Sequence, residues 1–335
     1  MSFEKIKVQA SPNIALIKYW GKLETDPKND FDRNLATNPS LSMTLSRALT
    51  EVEIFPTTKP NSIEFLVQNK PPTENDKLKI EKHLNRVFDF FKTDLSPFVE
   101  KGFAIHSTNN FPMGTGMASS ASAFAAMTLG FTALALGKDK AQIMLSSGVQ
   151  DLSQLARRGS GSACRSLEGP WVFWEGPSAR KLPLEWKLFD TLLIVSKEHK
   201  KIPSSLGHVA ATTSPLFSKR QLALPLRSQK ILEALESQSL ATLGPLIEQE
   251  ALELHAVARS GNPSADYLIT DTLKFLEALG PPERRDFFFT LDAGPNIHFL
   301  SVRPIQNELK KIAINLGLKN FEIWEDYAGH GPKLF

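Results

Sequence analysis

A few short stretches of this chain carry residue types that can do chemistry. Residues 109–127 read NNFPMGTGMASSASAFAAM, a polar segment holding Asn110, Pro112, Gly114 and Gly116 that leads through Met117 and Ala118 into a run of Ala, Ser and Phe. Glycine reaches backbone angles closed to other residues, so the N–H groups of such a loop can converge on one anion. A helix starting there adds its unpaired N–H groups and the positive end of its dipole. Ser119, Ser120 and Ser122 would supply hydroxyls for phosphate oxygens or a cation at that end. The pattern is neither the Walker loop, which ends in Gly-Lys-Ser/Thr, nor the dinucleotide Gly-x-Gly-x-x-Gly. A loop merely punctuated by Gly and Pro, with Ser capping a helix, explains this stretch equally well.

Lys18 stands at the end of an apolar run, beside Tyr19, Trp20 and Lys22. Taking its ammonium out of water is costly unless an anion is near; the alternative is a lysine that snorkels its head into solvent. Asp292 follows Phe287-Phe288-Phe289-Thr290-Leu291, where a buried strand meets a tight turn. Such a carboxylate either forms the turn, the commoner case, or is a catalytic group on a rigid strand end. Placed close to Lys18 it would stay ionised and could orient or deprotonate a hydroxyl. Arg165 ends the string Gly159-Ser160-Gly161-Ser162-Ala163-Cys164 and joins its fork of donors to the Ser160 and Ser162 hydroxyls, a set suited to a carboxylate or phosphate. It could equally close a helix C-terminus. Lys197, Lys200 and Lys201 read as a solvated basic turn, which Ser204 and Ser205 could complete into an anion site.

These residues need a frame, and the totals allow a large one. With 335 residues the chain favours two domains, and 41% hydrophobic against 22% charged residues is an ordinary globular balance. A net charge of +3 is too weak a bias to imply a nucleic-acid partner, and the aromatics lack the basic interleaving of a nucleic-acid platform. The histidines show no metal-ligand spacing, and Cys164 has no partner for a zinc site or a disulfide. No stretch of signal length opens the chain and none reads as long enough to span a bilayer, so the expectation is a cytoplasmic protein with no membrane partner.

The pattern predicts strands over 5–10, 14–19, 41–45, 50–55, 62–67 and 103–108, with 41–45, 50–55 and 62–67 antiparallel. Helices are predicted over 75–92, 119–136 and 140–157, and in pieces across 219–279 with breaks near Leu226, Ser239 and Gly261-Asn262-Pro263. Strands over 171–174, 189–195, 287–291, 297–302 and 321–324 and a helix over 305–316 complete the reading, with 287–302 a hairpin. Residues 23–38 read as a surface loop able to act as a lid beside a site. The mixture is α+β, with a boundary near residue 190 separating residues 1–190 from 191–335.

Taken together, these segments resemble the GHMP kinase superfamily and, within it, the mevalonate diphosphate decarboxylases. SPNIALIKYWGK (11–22) resembles that family's N-terminal motif, and 109–122 is similar to its ATP-phosphate loop. RGSGSACRS (158–166) and LDAGPN (291–296) resemble its other signatures, in the same order across most of the chain. The resemblance implies a ribosomal protein S5 domain 2-like N-terminal domain, a ferredoxin-like C-terminal domain and an active site in the cleft between them. It further implies MgATP-dependent phosphorylation of a C3 hydroxyl, followed by loss of phosphate and CO₂ to give isopentenyl diphosphate, and a homodimer.

Carried over by position, Asp292 would accept the C3 hydroxyl proton, Lys18 would stabilise charge beside it, and Arg165 would hold the C1 carboxylate with Ser160 and Ser162 nearby. Tyr19 and Lys22 would bind the substrate diphosphate. Asn110, Pro112, Gly114, Gly116, Met117, Ala118, Ser119 and Ser120 would wrap ATP, the two serines also serving Mg²⁺, while Ser204 and Ser205 would close over the ligands. Departures fall at Met113, Thr115 and Met117, in the longer stretch 23–36, and at His208, where methionine is common. They bear on the phosphate pattern of the substrate, so a phosphomevalonate decarboxylase or a mevalonate 3-kinase-like enzyme stands as the alternative. A catalytically silent GHMP ligand sensor stands as an alternative of another class.

Overall fold

The computed structural model describes residues 3–24, 26, 29–112, 117, 119–198 and 203–335, with the Ser205 side chain left out. In chain order it opens with β1 (Ile6–Ala10), β2 (Asn13–Ile17), β3 (Ser40–Thr44), β4 (Thr50–Pro56) and β5 (Ile63–Val67). Then come α1 (Glu74–Phe91), α2 (Ser96–Lys101), β6 (Phe103–Asn109), α3 (Ser119–Leu136), α4 (Lys138–Ser147) and α5 (Val149–Gly159). Strands β7 (Trp171–Glu175), β8 (Ser178–Lys181) and β9 (Phe189–Ile194) lead to helices α6 (Ser204–Ala211), α7 (Phe217–Glu236), α8 (Leu240–Ser260) and α9 (Thr270–Ala278). The chain ends with β10 (Phe287–Thr290), β11 (Ile297–Ser301), α10 (Gln306–Asn315), β12 (Glu322–Tyr327) and β13 (Lys333–Leu334).

The strands form three sheets, ordered β13-β1-β4-β6-β5, β2-β3-β7-β8 and β10-β11-β9-β12. In the first, β1 and β4 alternate buried and half-buried residues, as a sheet with one covered face should. The cover is α3 and α1, whose Ala125, Leu129 and Leu84 meet Val8, Val52 and Ile105 in one core. By contrast β2 and β3 are buried along their whole length, because the second sheet is packed on the third through Ile14, Leu16, Leu41, Leu192 and Leu300.

The α+β class and nearly every predicted element are present, and the hairpin β10–β11 is antiparallel as expected. Several expectations are corrected. Strands β3 and β4 each pair antiparallel as expected, in the second and first sheets respectively, but β5 runs parallel to β6. Gly148 divides the expected helix 140–157 into α4 and α5. No break occurs near Leu226; α7 runs through Pro225 because Leu224, Arg227 and Ile231 are buried on one face and outweigh one missing N–H. Helix α3 is long and apolar enough to cross a bilayer by composition, contrary to expectation, but 67% of it is buried inside the protein and it serves as the core helix. The short elements α2, α6, β8 and β13 were not expected. The last of these pairs with β1, so the chain's end returns to the first sheet across the division expected at residue 190.

Candidate active site

Strands β2 and β10 come from distant parts of the chain and lie against each other, the Thr290 hydroxyl donating to the Ala15 carbonyl at 3.4 Å. Lys18 follows β2 directly and Asp292 lies just past β10, so their side chains meet: Lys18 Nζ donates to Asp292 Oδ1 at 2.8 Å. The lysine does not snorkel. Its side chain is 1% exposed, while that of Asp292 is 23% exposed toward a cleft. Burial pulls the Lys18 ammonium below the usual lysine range, and the Asp292 carboxylate opposes that shift.

The peptide of Lys18 is held as firmly as its side chain. Its N–H donates to Glu250 Oε1 at 3.0 Å, and its carbonyl accepts from Asn38 Nδ2 at 3.1 Å and Arg220 Nη2 at 3.3 Å. Glu250 is in turn ion-paired with Arg220 and Arg227. Sequence reasoning missed these groups, because single charged residues on helices α7 and α8 carry no local signature.

Arg165 lies on the 3-10 turn Gly161–Ser166 and is buried. Its Nε donates to Asn13 Oδ1 at 3.3 Å and its guanidinium lies 5.5 Å from the Trp174 ring centre, leaving Nη1 with no protein partner among the described residues. Asn13 is fixed by its own bonds to Ser166 Oγ at 2.8 Å and the Ser162 carbonyl at 3.2 Å. Arg165 therefore does not close a helix; the end of α5 carries Arg157 and Arg158 instead. Gly161 is required here, since a Cβ would come within 2.6 Å of the Tyr19 ring.

Lys18, Tyr19, Lys22, Ser160, Ser162 and Arg165 line a single cleft of about 560 Å³ together with Met117, Ser119, Ser120, Ser204 and Asp292. That volume is in the range of small-molecule sites. Lys22 Nζ donates to Asn34 Oδ1 at 2.7 Å, and burial, then nearby Arg33, lowers its pKa. Burial raises that of the Tyr19 phenol. The described part of the stretch 23–38 is strapped in place rather than hung as a lid. Arg86 Nε donates to both Asp30 carboxylate oxygens at 2.8 Å, Asn34 Nδ2 to the Arg157 carbonyl at 2.9 Å, and Arg157 Nη2 to the Phe31 carbonyl at 2.7 Å. Arg33 and Asn34 thereby become a cleft wall, with Asp76 and Lys79 of α1 also facing it.

Other expected site residues are placed differently. Asn110 does not line the cleft; its amide donates to the Arg47 carbonyl and accepts from the Leu49 N–H, both at 2.8 Å. Pro112 is likewise not part of the lining, and Gly114, Gly116 and Ala118 lie outside the described residues. Ser122 does not line the cleft; it is buried with its hydroxyl 2.6 Å from Thr50 Oγ1, because it falls on the sheet side of α3. Lys197 is ion-paired with Glu322, while Lys200, Lys201 and the Ser205 side chain lie outside the described residues. Asn13 and His208 were missed as cleft residues, although Asn13 stands inside the string SPNIALIKYWGK.

The donor set fits a nucleotide and its cation. The first turn of α3 carries Ser119 and Ser120 toward the cleft and no acidic residue, which suits phosphate at a helix N-terminus. Among the described residues no cluster of His, Cys, Asp and Glu could hold a metal by itself. Magnesium would therefore ride on the phosphates, with a serine hydroxyl as a protein ligand.

Comparison with known proteins agrees with this arrangement. Residues 10–181 match the family model described as diphosphomevalonate decarboxylase-like N-terminal domain, and 191–316 match the mevalonate 5-diphosphate decarboxylase C-terminal domain. The diphosphomevalonate decarboxylase of Debaryomyces hansenii is 31% identical over 312 residues, covering 86% of this chain and 76% of that protein. A solved structure of MDDEF in complex with MVAPP, AMPPCP and magnesium superposes with a TM-score of 0.82 at 28% identity, covering 99% of both chains. The mevalonate diphosphate decarboxylase of Staphylococcus aureus gives 0.83 at 26% identity, covering 99% of this chain and 98% of its own. These matches, with the two-domain GHMP-type α+β fold and the geometry of the cleft, lead to one conclusion: the chain belongs to the diphosphomevalonate decarboxylase family.

Proposed function

We propose that Lys18 and Asp292 are the catalytic pair of this chain, on the strength of one observation: groups near opposite ends of the sequence meet at 2.8 Å on the wall of a cationic cleft. The reaction is the ATP-dependent decarboxylation of mevalonate 5-diphosphate to isopentenyl diphosphate, ADP, phosphate and CO₂. Asp292, kept ionised by Lys18, orients the C3 hydroxyl and takes its proton, and Lys18 balances the charge that shifts between them. Arg165, on the cleft wall, holds the C1 carboxylate with its guanidinium, assisted by the Ser160 and Ser162 hydroxyls. Tyr19 and Lys22 hold the diphosphate end, with Ser204 at the same cleft.

Ser119, Ser120 and the α3 N-terminus hold the nucleotide phosphates and Mg²⁺. ATP supplies the phosphoryl group that turns a poor tertiary leaving group into a good one. Everything this chain contributes is then positioning and charge stabilisation, the usual means of phosphoryl-transfer catalysis. The residues 1–190 and 191–335 would form the two walls, with β13 belonging to the first. The homodimer is carried by the resemblance alone, and the molar mass in solution tests it, while the cytoplasmic location rests on composition, with its lone Cys164.

The test is direct. Purified protein is incubated with MgATP and mevalonate mono- or diphosphate while CO₂, ADP and phosphate are followed. All three products from the diphosphate support the reading. ADP without CO₂ makes the chain a 3-kinase, turnover of the monophosphate alone moves the substrate, and binding without turnover makes it a sensor.

A further inference from the structure

His208 enters the cleft from α6, and its surroundings fix which of its nitrogens carries the proton. Its ring lies 4.2 Å from that of Tyr19 and 4.8 Å from that of Trp20, centre to centre. The approach depends on Gly207, where a Cβ would come within 2.5 Å of the Trp20 ring and the Tyr267 hydroxyl. The Gly21 N–H donates to His208 Nδ1 at 3.2 Å. An imidazole nitrogen that accepts a hydrogen bond has its lone pair free for it, so Nδ1 is unprotonated and the proton of the neutral ring sits on Nε2.

Nε2–H is then a donor in need of an acceptor. Among the described residues none bonds to it, yet it is absent from the sealed polar atoms that lack a partner, unlike Nε2 of His255 and His298. His208 is only 9% exposed and lines the cleft together with Tyr19, Lys22 and Ser204, so the open side of the ring is the cleft side. Charging the ring would forfeit the Gly21 bond and place another cation beside Lys22 and Arg165. Burial, followed by those two charges, accordingly pulls its pKa down to about 3.

We propose that His208 is a substrate-recognition residue that presents Nε2–H as an uncharged donor to a phosphoryl oxygen of the mevalonate diphosphate, between Tyr19 and Lys22. The proposal rests on mevalonate diphosphate being the ligand of this cleft. It assigns His208 a role separate from that of Lys22, since a neutral directional donor rewards a correctly placed oxygen while an ammonium attracts any nearby anion.

Two substitutions separate recognition from a merely structural role. In His208→Asn the side-chain carbonyl can still accept from Gly21 while the distal donor is gone. In His208→Gln the amide N–H reaches the Nε2 position and the proximal acceptor is lost. Steady-state kinetics with mevalonate diphosphate and MgATP should show KM for mevalonate diphosphate raised about tenfold in His208→Asn, the usual scale for one donor removed from a charged acceptor. The kcat and the KM for ATP should stay within about twofold, and His208→Gln should keep the substrate KM within about threefold. The opposite ranking, or equal losses in both variants accompanied by a lower Tm, overturns the proposal and leaves His208 as the clasp of Gly21. Wild-type protein run in parallel keeps the two ideas apart: no turnover there refutes the assignment of the cleft, whereas normal turnover in wild type and His208→Asn alike refutes only the role of His208.

Discussion

Two buried charge clusters lie back to back across the Lys18 peptide, and they differ in balance. Beneath it, Glu250 and Glu253 face Arg220 and Arg227, two anions against two cations, with Arg220 and Glu250 at 0% side-chain exposure. Above it, the Lys18–Asp292 pair shares the cleft with Arg165 and Lys22, so cations outnumber the carboxylate. The lower cluster is balanced in charge and shut off from the cleft, although Arg220 Nε has only Glu253 at 3.9 Å and no hydrogen bond. The upper one opens on the cleft with an excess of cations and a partly exposed carboxylate, the condition of a site that expects an anionic ligand. Similar residue types thus serve as a fixed foundation in one place and as reactive groups in the other.

The sharpest way to break this contrast is Asp292→Asn, which should lower kcat about a thousandfold or more while leaving ATP affinity within about twofold. A loss of only a few fold would return Asp292 to the turn-forming role, since its carbonyl already accepts from the Gly294 N–H at 2.7 Å. On the other side, Glu250→Leu strips the counter-charge from two buried guanidinium groups and should cost about 3–5 kcal/mol in chemical denaturation. Stability within the range of a surface substitution would show that the lower cluster is not a foundation.

The histidines around the upper cluster give a pH test. Burial, then the Lys18 charge, lowers the pKa of His255 to about 4, and His208 lies at about 3, against 6.5 for the ordinary residue. Both stay neutral in the folded protein while the unfolded chain takes up protons below 6.5. Their contribution is therefore in place above that value and is lost as pH falls toward 4, by about 1.4 kcal/mol per residue per pH unit. Urea unfolding at pH 7 and pH 5 should reveal this slope, and His255→Gln should remove about a third of the histidine part, because buried His83, lowered to about 3, contributes alongside His208. An unchanged slope in that variant would exclude His255 as its source. The smallest effect belongs to Ser122→Ala, about 1 kcal/mol of stability from the lost Thr50 contact with no change in the KM for ATP. A raised KM would bring Ser122 back to the nucleotide.

Much of the fold and of the site is legible in the residues themselves. The bounds of α3 follow from an apolar run that begins just after Gly and Pro, and β10 from a run of aromatics closed by Asp-Ala-Gly-Pro. Lys18, Asp292 and Arg165 stand out as charged groups in or beside buried runs, an anomaly that burial makes expensive. Ser122 was misread because helical facing, not residue type, decides whether a serine meets a ligand or the Thr50 hydroxyl. Glu250 and Asn110 show the same limit from opposite sides: one carries no mark in its helix and supports Lys18, the other was carried over as an ATP-loop residue and ties down the 47–49 turn.

What the sequence alone determined was the inventory: strings of residues, their local periodicity, and the class of chemistry they can perform, all properties of neighbours along the chain. Which groups face one another was decided only by the packing of the second sheet against the third. That packing brings Lys18 and Asp292, 274 residues apart, to hydrogen-bonding distance, and the same burial leaves one charge cluster closed and the other open. Distance in space depends on how whole sheets and helices bury their apolar faces, a sum over the entire chain that no local pattern contains.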